Sequence, residues 1–223
     1  IHNGVDPHPR LLSRDQARAE IIQKLNPTPY TLNPTHPWVG SIGRLVKEKD
    51  YATLIRAAAL VPEANFFIVA EGPGRYELEL LIAKEGVANR CAILTGLSPA
   101  APYLAAFDLF VLSSVKEGLP YALLEALAAG VPAVVTDAGG MPEVVAGVGE
   151  PVGAVVVQRD PRALAQAITA LLENPRERSA LGARAVKKIA AEFSVQQMVD
   201  QTAALYRTIA NTASPRSVMS PSS

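Results

Sequence analysis

From residue 38 onwards the chain alternates short apolar runs with longer helix-like segments, and this alternation is the strongest constraint on its fold. The runs are hydrophobic at successive positions rather than at every second one, as in Leu109-Phe110-Val111-Leu112. Such strands are typical of a parallel sheet that helices cover on both faces. The pattern therefore predicts a doubly wound α/β domain. Strands are predicted at residues 38–42, 66–70, 92–94, 109–112, 133–136 and 154–157.

Helix-like segments separate the predicted strands and continue after the last one. Residues 1–37 are predicted to form a turn-rich linker with one helix, which Ser13 caps. Residues 38–212 are predicted to form the ligand-binding domain, and residues 213–223, rich in Ser and Pro, a disordered tail. Helices are predicted at residues 13–25, 51–61, 75–84, 100–106, 121–129, 161–173, 176–192 and 195–210, and a short turn at residues 141–146.

The composition is that of an ordinary soluble protein and argues against several kinds of function. Basic and acidic residues both number 21, so no net charge attracts nucleic acid or an acidic membrane. Cys91 is the only cysteine, which excludes an internal disulfide and disfavours a zinc cluster. No apolar run reaches the roughly 20 residues of a membrane-spanning helix. The three histidines have no metal-ligand spacing and receive no role.

Two glutamates after the fourth predicted strand give the strongest functional signal. Glu117 follows the strand, and Glu125 lies about one turn into a helix that begins near Pro120. Both can face the crevice where open α/β sheets bind ligands. The first N–H groups of the helix, around Leu119 and Tyr121, can hold a diphosphate. Alternatively, Glu117 is an electrostatic cap and Glu125 a surface residue, but an acid in such an apolar segment usually has a partner or a function.

A basic loop follows the first predicted strand at the same edge of the sheet. Arg44 offers a planar fork of N–H donors and Lys49 a point charge, so the two together can neutralise a diphosphate. Gly43 allows the backbone to come close to a ligand. The alternative is a solvated loop in which Lys47 and Lys49 flank Glu48.

Three further loops at this edge contain glycine, which lets the backbone approach a nucleotide. A structural turn explains each of them about as well. The Gly-x-Gly-x-x-Gly fingerprint and the Walker loop are both absent from the sequence. The three loops are Glu71-Gly72-Pro73-Gly74, Thr95-Gly96-Leu97 and Asp137-Ala138-Gly139-Gly140.

Together these segments resemble the C-terminal, donor-binding domain of the retaining glycosyltransferase family 4, which has the GT-B fold. Each motif is weak alone, but five in this order, from residue 2 to about residue 210, are specific. The resemblance implies a Rossmann-like parallel sheet that is the C-terminal half of a GT-B fold, with residues 38–212 binding a nucleotide-sugar donor. The motifs are Asn3-Gly4-Val5-Asp6, Gly43-Arg44-Leu45 with Lys49, Glu71-Gly72-Pro73, Glu117 with Glu125, and Gly139-Gly140 with Pro142-Glu143.

The resemblance also implies roles for particular residues. Arg44 and Lys49 would hold the diphosphate of the donor. Glu117 would be the catalytic acid that contacts the donor sugar, and Glu125 would bind the ribose hydroxyls. The main chain at Leu97 would meet the base. The remaining donor contacts would come from the start of the helix, at Gly118, Leu119 and Tyr121.

Enzymes of this family transfer a sugar from a nucleotide-diphosphate donor with retention of anomeric configuration, without a cofactor or an obligatory metal. An N-terminal domain binds the acceptor, which is a glycan, a lipid or a small molecule. The chain is thus expected to be the second half of such an enzyme, binding a donor but transferring sugar inefficiently alone. We expect no nucleic-acid partner and a cytoplasmic location, peripheral at the inner face of the cell membrane in the complete enzyme. Base, sugar and acceptor stay open.

The chain departs from the family pattern at Asp50 and Ala70, which stand where glycine is frequent. Neither change removes a charged group, so donor binding is expected to survive. The last helix would pack towards the acceptor domain and would expose apolar side chains in this chain. These side chains are Met198, Val199, Leu205 and Ile209.

Other classes of function remain open at this point. The chain could be a non-catalytic nucleotide-sugar binding module that acts in trans with a separate acceptor subunit. It could also be a GT-B-like nucleotide-sugar epimerase or a glycan phosphorylase, the latter needing a lysine for pyridoxal phosphate. A nicotinamide dehydrogenase is disfavoured because the glycine fingerprint is absent.

Overall fold

The computed structural model describes residues 1–25, 32–33, 35–147 and 149–212. Residues 211 and 212 are described by their backbone only. At its centre lies a six-stranded sheet, parallel throughout, in the order β3-β2-β1-β4-β5-β6. The doubly wound α/β fold is therefore confirmed, and every predicted strand is present. The strands are β1 Trp38–Arg44, β2 Asn65–Glu71, β3 Cys91–Leu94, β4 Leu109–Leu112, β5 Ala133–Thr136 and β6 Gly153–Val156.

Helices cover both faces of the sheet, and two segments differ in type from the sequence pattern. Residues 101–106 form a 3₁₀-helix rather than an α-helix, as short connecting segments often do. Residues 141–146, expected as a short turn, form an α-helix. A second 3₁₀ turn spans Lys47–Lys49. The predicted disordered tail, residues 213–223, lies outside the described residues. The α-helices are α1 Arg14–Leu25, α2 Tyr51–Ala59, α3 Arg75–Lys84, α4 Tyr121–Ala128, α5 Met141–Ala146, α6 Pro161–Leu172, α7 Pro175–Glu192 and α8 Val195–Thr212.

Two hydrophobic cores lie on opposite faces of the sheet. Successive strand residues enter different cores: Phe67 and Phe110 belong to one, and Phe66 and Leu109 to the other. All four side chains are at most 1% exposed. This arrangement explains why the strands are apolar at consecutive positions.

Helix α1 contributes to the first of these cores although it precedes the predicted domain. Ala17, Ile21 and Leu25 are buried along one side of the helix and belong to the same cluster as Phe67. The boundary at residue 38 remains a prediction, but α1 packs as part of the layer that covers the sheet.

The N-terminal segment pairs with the junction between α7 and α8. The N–H of Val5 donates to the carbonyl of Phe193 at 2.9 Å, and the N–H of Val195 donates to the carbonyl of Val5 at 2.9 Å. A Cβ atom at Gly4 would overlap the backbone of Ser194, so glycine permits this approach. Residues 3–6, predicted as a turn, instead contain an isolated parallel bridge between Val5 and Ser194.

Helix α8 presents apolar side chains to solvent, as the sequence suggested. Val199, Leu205 and Ile209 are each more than half exposed. Met198 differs, because it is only partly exposed and its sulfur accepts the N–H of Gly4 at 3.3 Å. None of the described helices combines the length and the apolar character that a bilayer crossing requires.

Asp108 ties α1 to the sheet at the edge where the strands begin. Its carboxylate accepts the N–H of Trp38 at 2.7 Å and the guanidinium groups of Arg18 at 2.8 Å and Arg14 at 2.5 Å. Arg18 also lies over the Trp38 ring, 4.6 Å from its centroid. Burial alone would raise the pKa of Asp108, but these donors together hold that pKa below its ordinary value.

We expect Asp108→Asn to lower the free energy of unfolding at neutral pH by about 2–3 kcal/mol, because the buried N–H of Trp38 and the partly buried guanidinium of Arg18 lose their charged partner. The Asp108 contribution is fully present above the unfolded pKa of about 4 and is lost as pH falls through the lower folded pKa. Urea unfolding between about pH 7 and pH 3 should therefore show that the free energy of unfolding falls more steeply with decreasing pH in the wild type than in the variant. Asp200→Asn, at an exposed site that accepts one bond from Gln196, is the control. Equal slopes for wild type and Asp108→Asn would contradict this role.

Candidate functional site

The strand order places the topological switch point between β1 and β4, and an ion pair lies at their carboxyl ends. The chain leaves β1 towards β2 on one side, whereas β4 leads to β5 on the other. The Nζ of Lys49 is 2.5 Å from Oε1 of Glu117, with the side chains 18% and 10% exposed. Oε1 also accepts the hydroxyl of Ser114 at 2.6 Å. Two residues predicted from separate loops thus meet in the crevice of an open α/β sheet.

Serine residues after β4 fix the loop that carries Lys49. The hydroxyl of Ser113 is 3.0 Å from the carbonyl oxygen of Lys49 and 2.9 Å from that of Asp50. The N–H of Val115 donates to the carbonyl of Glu48 at 2.8 Å. These serines were not among the predicted site residues, and the signal in the sequence was a pair of hydroxyl residues directly after an apolar strand.

Asp50 shows why glycine suits the position after the lysine. Its backbone is left-handed, with φ of 44° and ψ of 48°. Aspartate tolerates this region better than most residues with a side chain. Its carboxylate also caps α2 by accepting the backbone N–H of Thr53 at 3.4 Å, and it accepts the hydroxyl of Thr53 at 2.7 Å. The departure therefore preserves the turn that places Lys49.

The loop before α4 is held so that the start of this helix faces the same edge. Pro120 is the N-cap and supplies no side-chain hydrogen bond. Asn3 donates to the carbonyl of Leu119 at 2.8 Å, and the N–H of Gly140 donates to the carbonyl of Gly118 at 2.8 Å. Gly118 and Tyr121 are exposed. The first backbone N–H groups of α4 thus remain available to an anion.

Glycine at position 139 is required by the approach of two loops. Its φ is 56°, and a Cβ atom there would overlap the carbonyl oxygen of Glu117. The predicted close approach at Gly139 is therefore real, but the neighbour in the structure is the loop that carries Glu117. This contact sets the position of the Glu117 backbone from the β5 side.

Glu125 lies one turn into α4, half-buried and without a partner. Its side chain makes no hydrogen bond or ion pair with the described residues, while its neighbours Leu124 and Ala126 are fully buried. Burial raises the pKa of Glu125 above its ordinary value. A carboxylate in this state can be stabilised by hydroxyl donors from a ligand.

Arg44 lines a separate cavity of about 230 Å³ at the carboxyl ends of β1, β2 and β3. The side chain of Arg44 is exposed and has no ion pair with the described residues. Leu97 is buried in the wall that follows β3, and Glu71 accepts the N–H of Gly96 at 3.1 Å. The structure therefore places Arg44 at this cavity and Lys49 against Glu117. The cavity is lined by Ile42, Gly43, Arg44, Val69, Ala70, Glu71, Leu94, Thr95, Gly96, Leu97, Ser98 and Ala100.

Outside these groups, the described residues offer little other chemistry. No three His, Cys, Asp or Glu side chains in that part of the chain gather into a possible metal site. His2 stacks on Phe193 with ring centroids 5.4 Å apart, and its Nε2 is 3.4 Å from a carboxylate oxygen of Glu143.

Comparison with known proteins identifies the family. The family model "Glycosyl transferases group 1" matches residues 23–188. The chain belongs to this family. It is similar to LpsE of Rhizobium meliloti (strain 1021), a lipopolysaccharide core biosynthesis glycosyltransferase, with 33% identity over 164 residues, 74% of this chain and 48% of LpsE. The chain spans about half the length of the curated relatives it matches.

Solved structures show the same fold. Sucrose-phosphate synthase from Thermosynechococcus elongatus superimposes with a TM-score of 0.82 at 24% identity, covering 96% of this chain and 53% of that protein. Anabaena HepE in complex with UDP gives a TM-score of 0.79 at 24% identity, covering 93% of this chain and 57% of HepE. The architecture is that of a Rossmann-like domain of GT-B glycosyltransferases.

We expect Gly139→Ala to destabilise this group 1 glycosyl transferase chain more than Gly86→Ala. Both glycines have a positive φ, 56° and 70°, so both variants pay about 1 kcal/mol for a left-handed alanine. At Gly86 nothing lies within 4 Å of the added Cβ, whereas at Gly139 it meets the Glu117 carbonyl. The overlap should add about 1–3 kcal/mol, measured by urea unfolding. Equal losses would show that the contact between the two loops is not constraining.

Proposed function

We propose that this chain is the donor-binding half of a retaining glycosyltransferase of family 4, and that it binds a nucleotide-diphosphate sugar. The observation that carries the proposal is the set of charges at the switch point. Lys49 and Glu117 lie paired between β1 and β4, Glu125 follows on α4, and Arg44 lies beside a cavity. Neither Glu125 nor Arg44 has an ion pair within the part of the chain that the structure describes. A nucleoside, a diphosphate and a sugar require groups of these kinds in this order.

The nucleoside would occupy the cavity beside Arg44, with the base near the main chain of Leu97. The ribose hydroxyls would donate to Glu125, which supplies the acceptor that they need. The diphosphate would lie between the side chains of Arg44 and Lys49 and the backbone N–H groups at the start of α4. The residues that would contact it there are Gly118, Leu119 and Tyr121. The UDP in the HepE complex supports a nucleotide diphosphate as the ligand of this fold.

Donor binding would change the partner of Lys49. In the free protein Glu117 and Lys49 neutralise each other at 2.5 Å. A diphosphate beside Lys49 offers a second anion, so the ammonium group can turn towards it while Glu117 accepts hydroxyls of the sugar. Ser114, which donates to Glu117 at 2.6 Å, would keep the carboxylate oriented during this exchange.

Transfer would then follow the front-face course that is usually proposed for retaining enzymes. The bond between the anomeric carbon and the phosphate oxygen breaks, and its electrons remain on the diphosphate, whose charge Arg44 and Lys49 stabilise. Glu117 stabilises the positive charge that develops on the sugar. The acceptor oxygen attacks from the same face and gives its proton to the departing phosphate.

We further propose that donor binding needs neither a cofactor nor an obligatory metal, since Arg44, Lys49 and the start of α4 supply positive charge. The acceptor would bind to the part of the relatives that this chain does not cover, so transfer by this chain alone would be slow. The complete enzyme would act in the cytoplasm, at the inner face of the cell membrane.

Calorimetric titration with UDP, GDP and ADP tests the donor site. We expect the wild type to bind at least one of them, equally well in EDTA and in Mg²⁺. Arg44→Ala should weaken binding by about tenfold or more, because a charge-assisted contact to phosphate is lost. Arg176→Ala is the matched control, since Arg176 is exposed on α7, whose Arg178 approaches Asp108 at the opposite edge of the sheet. Absence of binding in both conditions, or equal binding by the two variants, would refute the site.

Glu125→Gln is expected to change stability and binding in opposite directions. Because the folded pKa of Glu125 is raised, the free protein loses stability as pH rises from the ordinary value of this carboxyl through the folded value. The neutral variant avoids this loss, so its Tm near pH 7 should rise by about 1–3 °C. Nucleotide binding should weaken by about tenfold, because the ribose hydroxyls lose a charged acceptor.

Thermal unfolding and calorimetry of the same Glu125→Gln preparations at pH 7 provide both readouts. Lower stability together with weaker binding would indicate a structural role for Glu125. Unchanged binding would remove it from the donor site.

A further inference from the structure

Three charged side chains from different elements lie against the loop after β3, and two of them are hydrogen-bonded to it. The carboxylate of Glu71 accepts the N–H of Gly96 at 3.1 Å. Arg75, at the start of α3, donates to the hydroxyl of Thr95 at 3.3 Å. Lys24, in the last turn of α1, has its Nζ 3.5 Å from the point where a Cβ atom of Gly96 would lie. The ammonium group therefore lies directly against a residue that has no side chain.

This loop separates the 230 Å³ cavity beside Arg44, the donor cavity of the proposed function, from a second cavity of about 410 Å³. Leu94 and Thr95 line both cavities, and the second one is bounded by Lys24 and Arg75. Gly96 lines the cavity beside Arg44, and Lys24 lines the second cavity on the other side of the loop. Apart from the chain neighbours of Gly96, the Lys24 ammonium nitrogen is the described atom within 4 Å of the point where a Gly96 Cβ atom would lie.

In the orientation proposed for a bound donor, the outer edge of its base lies against this loop. Lys49 and Glu117 fix the diphosphate end at the boundary of β1 and β4. From β1 to β3 the cavity crosses two strand spacings, about 10 Å. A nucleoside that starts at Arg44 and follows the cavity therefore ends with its base at Thr95 and Gly96.

The charges around the loop differ in how far they are neutralised. Arg75 pairs with Glu79 at 2.7 Å, and Glu71 is occupied by Gly96. Among the described residues, Lys24 has no carboxylate partner. An ammonium group only donates hydrogen bonds, so it attracts a carbonyl oxygen and repels an amino group.

We propose that Lys24 is a specificity-determining residue of the donor site. It favours nucleotides whose base presents an exocyclic carbonyl oxygen at its outer edge, uracil or guanine, over those that present an amino group, cytosine or adenine. The proposal rests on the proposed function, because it assumes that the cavity beside Arg44 holds the nucleoside. It also gives a function to α1, which lies in the predicted linker.

Matched pairs of nucleotides test the proposal by calorimetry. UDP and CDP differ at the outer edge of a pyrimidine, and GDP and ADP differ there in a purine. The wild type should prefer the carbonyl member of at least one pair by about tenfold, the effect of one charged hydrogen bond. Lys24→Met, which keeps the apolar stem, should reduce this ratio to about threefold or less. Lys84→Met is the control, because Lys84 is also an exposed lysine in the last turn of a helix.

The possible results separate this inference from the proposed function. Arg44→Ala should weaken all four nucleotides by the same factor and leave the ratios unchanged. A loss of the ratio in Lys24→Met alone would support base selection by Lys24. An unchanged ratio, or an equal loss for both members of a pair, would overturn it while the donor site stands. No binding of any nucleotide by the wild type would overturn both proposals.

Discussion

The parallel pairing of β1 with β4 is the constraint on which the rest of the structure depends. These strands are far apart in sequence, and their hydrogen bonds bring the loop after β1 against the loop after β4. Lys49 can meet Glu117 only because of this pairing, and Ser113 then fastens the two loops together. A parallel sheet with its strands in sequence order would have left the two charges at the same edge but three strand spacings, about 15 Å, apart.

The pKa values of two carboxylates at opposite edges of the sheet are shifted in opposite directions. At the edge where the strands begin, Asp108 is surrounded by donors, and its lowered pKa reflects a contribution to stability. At the other edge Glu125 makes no hydrogen bond or ion pair with the described residues, and its raised pKa reflects a cost that the free protein bears. Asp108 at one edge is thus stabilised by its partners, whereas burial disfavours the charge of Glu125 at the other.

Close backbone contacts give the site its shape and account for several glycines. Gly139 fits against the carbonyl of Glu117, and Gly4 fits against the junction that leads into α8. Asn3 then reaches from that junction to Leu119 in the loop before α4. The N-terminal segment, the last helix and the site therefore form one connected arrangement, although they lie at opposite ends of the chain.

The sequence by itself determined the doubly wound fold, because strands apolar at successive positions must be buried on both faces. It also placed Arg44, Glu117 and Glu125 at one edge, since the loops after parallel strands meet there. Within the described part of the chain, the segment at residues 101–106 formed a 3₁₀-helix rather than an α-helix, and the expected short turn at 141–146 formed an α-helix.

The tertiary structure alone decided which charged groups pair and which stay free. It joined Lys49 to Glu117, left Arg44 at a cavity of its own and brought Lys24 from the predicted linker to Gly96. These contacts join residues that lie far apart in the chain, and no local pattern encodes their distances. Strand order and loop packing set those distances, so they could be read only from the folded molecule.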